Sequence, residues 1–112
     1  MAVTIYHNPR CSKSRQTLAL LEERGVTPQV VEYLKTPPDA ATLRGLLQKL
    51  GLGPRDLLRQ KEAAEAGIAP DLDGDALVEA MVAHPIVIER PIVVSGKRAR
   101  LGRPPEKVLE IL

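Results

Sequence analysis

One stretch of the chain gathers groups that can do chemistry: Tyr6-His7-Asn8-Pro9-Arg10-Cys11-Ser12-Lys13-Ser14-Arg15. It lies between an apolar run, Val3 to Ile5, and an amphipathic run that begins near Ser12, with the only cysteine at the junction. The order is strand, tight loop, helix. Asn8-Pro9 is a turn signal, and Pro9 blocks the strand from continuing. Ser12 is a good N-cap candidate, which would set the backbone N–H groups of Arg10, Cys11 and Ser12 around the positive end of the helix. A thiol held there is pushed toward thiolate by the helix dipole and by Arg10, Lys13 and Arg15. The same N–H groups suit an oxyanion. One loop therefore offers a nucleophile and a cradle for a negatively charged substrate.

A lone cysteine is commonly a small buried hydrophobe. A core cysteine has apolar neighbours in period, whereas Cys11 has Arg, Ser and Lys around it and a proline two positions before. These neighbours favour a reactive thiol. His7 stands at the strand end, four residues from Cys11, where an imidazolium would favour the thiolate. Position 14 carries Ser, so a Cys-x-x-Cys redox pair is absent. With no resolving cysteine, any oxidised or adduct-bearing Cys11 must be rescued by an external thiol.

The chain has 112 residues, enough for one domain, 1–112, with a core that needs no disulfide. With 44% hydrophobic and 27% charged residues it reads as a globular protein, and with no Trp or Phe its core must be Leu, Val, Ile and Ala. No apolar run is long enough to span a membrane, and no secretory leader pattern opens the chain. These features and the single thiol point to a reducing cytoplasm. A net charge of +2, with basic and acidic residues interspersed, gives no footprint for nucleic acid. No metal-ligating cluster is expected.

Val3 to Tyr6 reads as a strand, and Ser14 to Glu23 as a helix with Leu18 and Leu21 inward, stopped by Gly25. Val30 to Leu34 reads as a second strand, which makes a βαβ unit with a parallel pair. A helix from about Asp39 to Leu50 carries Leu43, Leu46, Leu47 and Leu50 on one face. Helical turns follow from Arg55 to about Ala66, with Leu57 and Leu58, and then a helix from Asp73 or Gly74 through Ala83, with Leu77 and Met81 inward. These form an inserted helical block. Ile92-Val93-Val94 and Arg98 to Gly102, joined by Ser95-Gly96, form an antiparallel hairpin. A last helix opens at Pro104 or Pro105 and runs to Leu112, with Val108, Leu109 and Leu112 inward. The fold class is α/β: a mixed four-stranded sheet, flanking helices and an inserted helical block, the element order of a thioredoxin-like fold.

Within that fold the chain resembles the glutaredoxin-coupled arsenate reductase family. The matching residues are His7-Asn8-Pro9-Arg10-Cys11 with Ser14-Arg15 and Thr17-Leu18; Tyr33-Leu34 with Pro37-Pro38; Leu57-Leu58-Arg59; His84-Pro85-Ile86 with Glu89-Arg90-Pro91-Ile92-Val93-Val94; and Leu101-Gly102-Arg103-Pro104 with Val108-Leu109. They cover nearly the whole chain in order. The resemblance implies that Cys11 is the nucleophile, that His7 influences its thiol, that Arg59, Arg90 and Arg103 bind the oxyanion or its reduced adduct, and that Pro91 is a cis-proline facing the thiol. Planar guanidinium groups suit the oxygens of a tetrahedral oxyanion. Arg90 and Arg103 each precede a proline that restricts their backbone, whereas Arg59 is less distinctive locally.

The resemblance further implies arsenate as substrate, glutathione as co-substrate and a glutaredoxin as partner, in an oxidoreductase of arsenical resistance. Two other readings keep the fold. One is a glutathione-dependent thiol–disulfide oxidoreductase. The other is a non-catalytic transcriptional regulator similar to Spx, against which the missing Cys-x-x-Cys and the three arginines both argue.

Overall fold

The computed structural model describes residues 2–112. The chain forms two compact units, the first Met1–Thr36 with Arg90–Leu112, the second Pro37–Glu89. The second is the helical block expected from the sequence as an insertion.

In the first unit, four strands are present among the described residues: β1 (Val3–His7), β2 (Gln29–Glu32), β3 (Ile92–Ser95) and β4 (Arg98–Leu101). They make one mixed sheet in the order β2-β1-β3-β4. β1 and β2 are parallel, with Ile5 opposite Val30, and α1 (Ser12–Glu23) is the crossover between them. β1 and β3 are antiparallel, with Ile5 opposite Val93, and β3 and β4 form the hairpin. The turn is Gly96-Lys97 rather than Ser95-Gly96, because Ser95 still pairs with Val3 and Arg98; Gly96 supplies the positive φ of 62°.

Strand alternation places Val3, Ile5 and His7 on one buried face of β1. Val3 and Ile5 join Leu21, Val93, Val108 and Ile111 in the core, with Leu18 and Val26 packed at its edge. Burying such a side chain fully is worth about 1.5–3 kcal/mol. His7 carries the same face past the apolar core toward the loop that holds Cys11. The buried residues of α1 are Ser14, Thr17 and Leu21, so Leu18 lies at the flank instead of the centre. Two small polar residues thus occupy the part of the helix nearest the loop.

Three local readings change. Cys11, not Ser12, is the N-cap of α1, with extended backbone angles of −91° and 123°. Tyr33 and Leu34 leave the sheet in a turn after Glu32, although Tyr33 stays buried. The C-terminal segment Pro105–Ile111 is a 3-10 helix, and its buried residues are Pro105, Val108 and Ile111. That spacing of three follows the 3-10 period, so Leu109 turns partly outward and Leu112 is exposed, where an α-helical period had put both inside.

The second unit contains α2 (Ala40–Leu50), a 3-10 turn (Pro54–Leu57), α3 (Gln60–Glu65), α4 (Gly74–Ala83) and a 3-10 turn (Pro85–Val87). Asp39 caps α2 by accepting the Thr42 N–H at 2.7 Å, and Gly51 ends it at a positive φ of 72°. Leu43, Leu46 and Leu47 of α2 and Leu77, Val78 and Met81 of α4 are buried. Beyond the turns, Leu58 and Ile88 make an antiparallel bridge, flanked by Arg59 N–H to Val87 O and Glu89 N–H to Leu57 O, both 2.7 Å. This clip sets Arg59 beside Glu89.

One residue of the first unit governs how closely β4 approaches α1. A Cβ on Gly102 would lie 2.8 Å from Pro91 Cγ and clash with Thr17 Oγ1. Gly102 N–H donates to Pro91 O at 3.0 Å, so this contact is also hydrogen-bonded. Gly102→Ala is expected to destabilise the fold by about 1–3 kcal/mol through overpacking, read as a lower urea midpoint at unchanged m-value.

Candidate active site

The Cys11 loop is held by its own backbone and by buried polar side chains. Cys11 N–H donates to Asn8 O at 3.0 Å, closing a turn over Pro9-Arg10. The buried Asn8 side chain accepts the Arg10 N–H at 3.0 Å, and Arg15 Nη1 donates to Pro9 O at 2.9 Å. Ser14 Oγ accepts the Asn8 N–H at 3.0 Å and shares a 2.6 Å hydrogen bond with His7 Nδ1. Thr17 Oγ1 donates to Lys13 O at 2.8 Å. Each of these buried polar groups therefore has a partner, as burial demands.

Cys11 is partly exposed at the N-cap position, with Lys13 at N2 and Ser14 at N3. A capping side chain normally accepts from these two N–H groups. The neutral thiol makes no capping hydrogen bond, but both N–H dipoles favour the thiolate. Burial pushes the Cys11 pKa up and is the largest single influence; the Ser14 N–H, the Arg90 side chain and the Lys13 N–H together outweigh it and bring the pKa below the ordinary thiol value.

Two of the three expected arginines meet at this sulfur. Arg103 Nη2 donates to Cys11 Sγ at 3.5 Å, and its Nε donates to Arg90 O at 2.8 Å. The guanidinium is thereby oriented by one backbone carbonyl while it faces the thiol. Arg90 is buried, with its side chain acting on the Cys11 thiolate by hydrogen bonding and by charge. The Arg90–Pro91 and Arg103–Pro104 peptide bonds are both cis. Arg59 belongs to the second unit, where its Nε donates to Glu62 at 2.6 Å and its Nη1 to Glu89 at 2.8 Å.

His7 differs from the cation expected beside the thiol. Its ring is buried, and burial lowers its pKa; Glu32 opposes that shift and Arg15 adds to it. The neutral imidazole bonded to Ser14 is therefore the favoured form at neutral pH, and the positive charge near Cys11 comes from arginine and backbone dipoles. Ser14, Asn8 and Gly102 are the positioning residues that sequence reasoning missed. The available signal was the 14-17-21 spacing of α1, which puts small polar residues on its inner face. Among the described residues no group of three or more His, Cys, Asp or Glu is gathered to hold a metal ion, and no helix is long and apolar enough to cross a membrane.

A mixed β2-β1-β3-β4 sheet with a thiol at the start of the first crossover helix defines a thioredoxin-like fold carrying a single-cysteine site. Residues 6–111 match the ArsC family. The chain is similar to the uncharacterized protein YfgD of Escherichia coli (strain K12), at 60% identity over 98% of this chain and 96% of that protein. It is 48% identical to an arsenate reductase of Neisseria meningitidis serogroup A / serotype 4A (strain DSM 15465 / Z2491), over 98% of this chain and 97% of the other. Among solved structures, an arsenate reductase from Vibrio cholerae aligns with a TM-score of 0.90 at 53% identity, covering 100% of this chain and 98% of its own. The chain belongs to the ArsC family.

Two titrations test the site. The alkylation rate of Cys11 is expected to rise with a midpoint below that of a free thiol, and Arg90→Gln should move that midpoint up. His7 has a folded-state pKa below its unfolded value, so the unfolded chain binds the proton first as pH falls. The stability from a neutral His7 is complete above its unfolded pKa of about 6.5 and is lost as pH drops below it toward the folded pKa. Urea midpoints of the native protein should therefore fall more steeply than those of His7→Asn as pH drops below neutral.

Proposed function

We propose that this protein is an arsenate reductase that takes its reducing electrons from glutathione through a glutaredoxin, in a reducing cytoplasm. The observation that carries the reading is the Arg103 guanidinium donating to the Cys11 sulfur at 3.5 Å with Arg90 at the same sulfur. A nucleophile beneath two guanidinium groups and a helix N-terminus suits attack on the centre of an oxyanion. The relatives that bear the name arsenate reductase supply the choice of anion.

In this reading the Cys11 thiolate attacks arsenic(V), and one oxygen leaves as water. An S–As bond joins the protein to the substrate, with Arg90 and Arg103 on the remaining oxygens. A glutathione thiol then displaces a second oxygen as water, giving a Cys11–As(V)–glutathione species. A glutaredoxin thiolate attacks the glutathione sulfur. An S–S bond forms, the glutathione S–As bond breaks, and its electron pair reduces arsenic by two electrons. Water finally releases arsenite and returns the Cys11 thiol. The external thiol is required because Cys11 is the only cysteine in the chain.

Within the second unit, Glu62 and Glu89 fix the plane of the Arg59 fork. His7 acts through Ser14, which it holds, rather than by contact with the oxyanion.

Arsenite release from arsenate, with glutathione and glutaredoxin supplied, is expected from the native protein and should vanish in Cys11→Ser. Arsenate should also protect Cys11 from alkylation. Arg90→Lys or Arg103→Lys keeps the charge and loses the planar fork, and should lower turnover roughly tenfold to a hundredfold, equivalent to about 1.5–3 kcal/mol for one charge-assisted contact. Cys11 protection by glutathione but not by arsenate, without arsenite release, would reject arsenate as substrate.

A further inference from the structure

A cavity of about 640 Å³ opens at the end of the sheet away from Cys11, and all of its lining belongs to the first unit. β1 begins there at Val3 and ends at His7, roughly 13 Å further on, beside the thiol loop. The arsenate chemistry therefore leaves this cavity unused. Its volume lies within the range of ligand sites, about 300–1,000 Å³.

Its floor is the underside of the hydrophobic core. Val3 and Ile111 are buried members of that core, and Val26 packs against it partly buried. The charge comes from one side. Val3 pairs with Ser95 and Ser95 with Arg98, so the three share one face of the sheet. Ile5, Val93 and Arg100 form the next row on that face. Arg100 is matched by Glu110, to which its Nε donates at 3.0 Å. One row away, the C-terminal 3-10 helix offers Ile111 instead of a carboxylate, and Arg98 stands unmatched beside Lys97. Both cations are exposed at the rim, and among the described residues no carboxylate side chain lines the cavity. Two cations over an apolar floor are complementary to an anion with an apolar tail and repel a cationic one. From Arg98 across β3 to Val3 is two strand spacings, about 10 Å. A saturated chain of about eight to ten carbons, with bonds of about 1.5 Å along a zigzag, has that reach.

We propose that this cavity is a second binding site, separate from the thiol, for a medium-chain carboxylate. The head group sits at Lys97 and Arg98, and the tail lies on Val3, Val26 and Ile111. A membrane surface is the less favoured occupant, because Val3 and Ile111 are a recessed floor, 9% and 5% exposed, rather than protruding anchors. The site is independent of what Cys11 attacks.

The test titrates decanoate, below its micelle concentration, into the full chain and follows the amides by NMR. Shifts are expected at Val3, Val26, Lys97, Arg98 and Ile111, with the Cys11 loop unmoved, and equally in Cys11→Ser. Hexanoate should bind at least tenfold more weakly for its shorter tail. Decyltrimethylammonium, with the same length of tail and the opposite charge, should also bind at least tenfold more weakly. These comparisons use the native protein alone, so they stand whatever the stability of a variant. The double variant Lys97→Glu, Arg98→Glu should lose about tenfold in decanoate affinity while binding uncharged decanol as the native protein does. Equal binding of decanoate and decyltrimethylammonium, or unchanged decanoate affinity in the double variant, would overturn the site. So would decanoate shifts that are absent or map elsewhere. Shifts at these amides with phosphatidylglycerol vesicles but not with decanoate would replace it by a membrane contact. Shifts on raising the protein concentration, with none from decanoate, would replace it by a contact with a second copy of the chain.

Discussion

The reach of Arg103 to the Cys11 sulfur depends on a close approach that Gly102 permits. With no side chain at this residue, the chain leaving β4 passes against Thr17 of α1 and the ring of Pro91. Any Cβ would push it away from the helix whose N-terminus carries the thiol. The hydrogen bond from Gly102 to Pro91 and the bond from Arg103 Nε to Arg90 O hold the same passage from two sides. The end of β4 and the start of β3 are thus locked together, and each contributes one arginine to the sulfur. Stability and chemistry share this contact, so a change that loosens one loosens the other.

The electrostatics of the thiol divide between groups that supply charge and groups that supply position. Burial alone would keep the proton on sulfur. The helix N–H dipoles and Arg90 reverse that result at short range, in a site that is only partly open to water. His7 and Ser14 add no charge. They satisfy one another beneath the loop and fix Asn8, whose carbonyl in turn fixes Cys11. A charged imidazole in that buried position would lose solvation with no carboxylate bonded to it, which is why the neutral ring is favoured.

Arg59 has a different character from the other two arginines. Its guanidinium is shared by two glutamates, so the group of three side chains carries a formal charge of −1 where Arg90 and Arg103 face a sulfur. Both carboxylates are three-quarters or more buried, so these pairs are screened less than surface ones.

Much of this arrangement was written in local pattern. The strand that opens at Val3, the turn at Asn8-Pro9, the leucine spacing of α2 and the hairpin after Pro91 each act over a few residues, and each is legible in the sequence. The same holds for Cys11 as a polar-flanked thiol at a helix start, since its polar neighbours and the following helix lie within one turn of it. What needed the fold was every relation between distant residues. The choice of Cys11 over Ser12 as N-cap depends on where Asn8 closes the loop. The 3-10 period of Pro105–Ile111 reflects packing against β4 that a single helix pattern does not encode. The neutral state of His7 follows from burial, and the commitment of Arg59 to Glu62 and Glu89 from a clip that joins residues thirty positions apart. By itself the sequence determined which groups could react and which segments would carry them. Only the tertiary structure decided their charge states and partners, because burial and long-range hydrogen bonds set these and neither has a local signature.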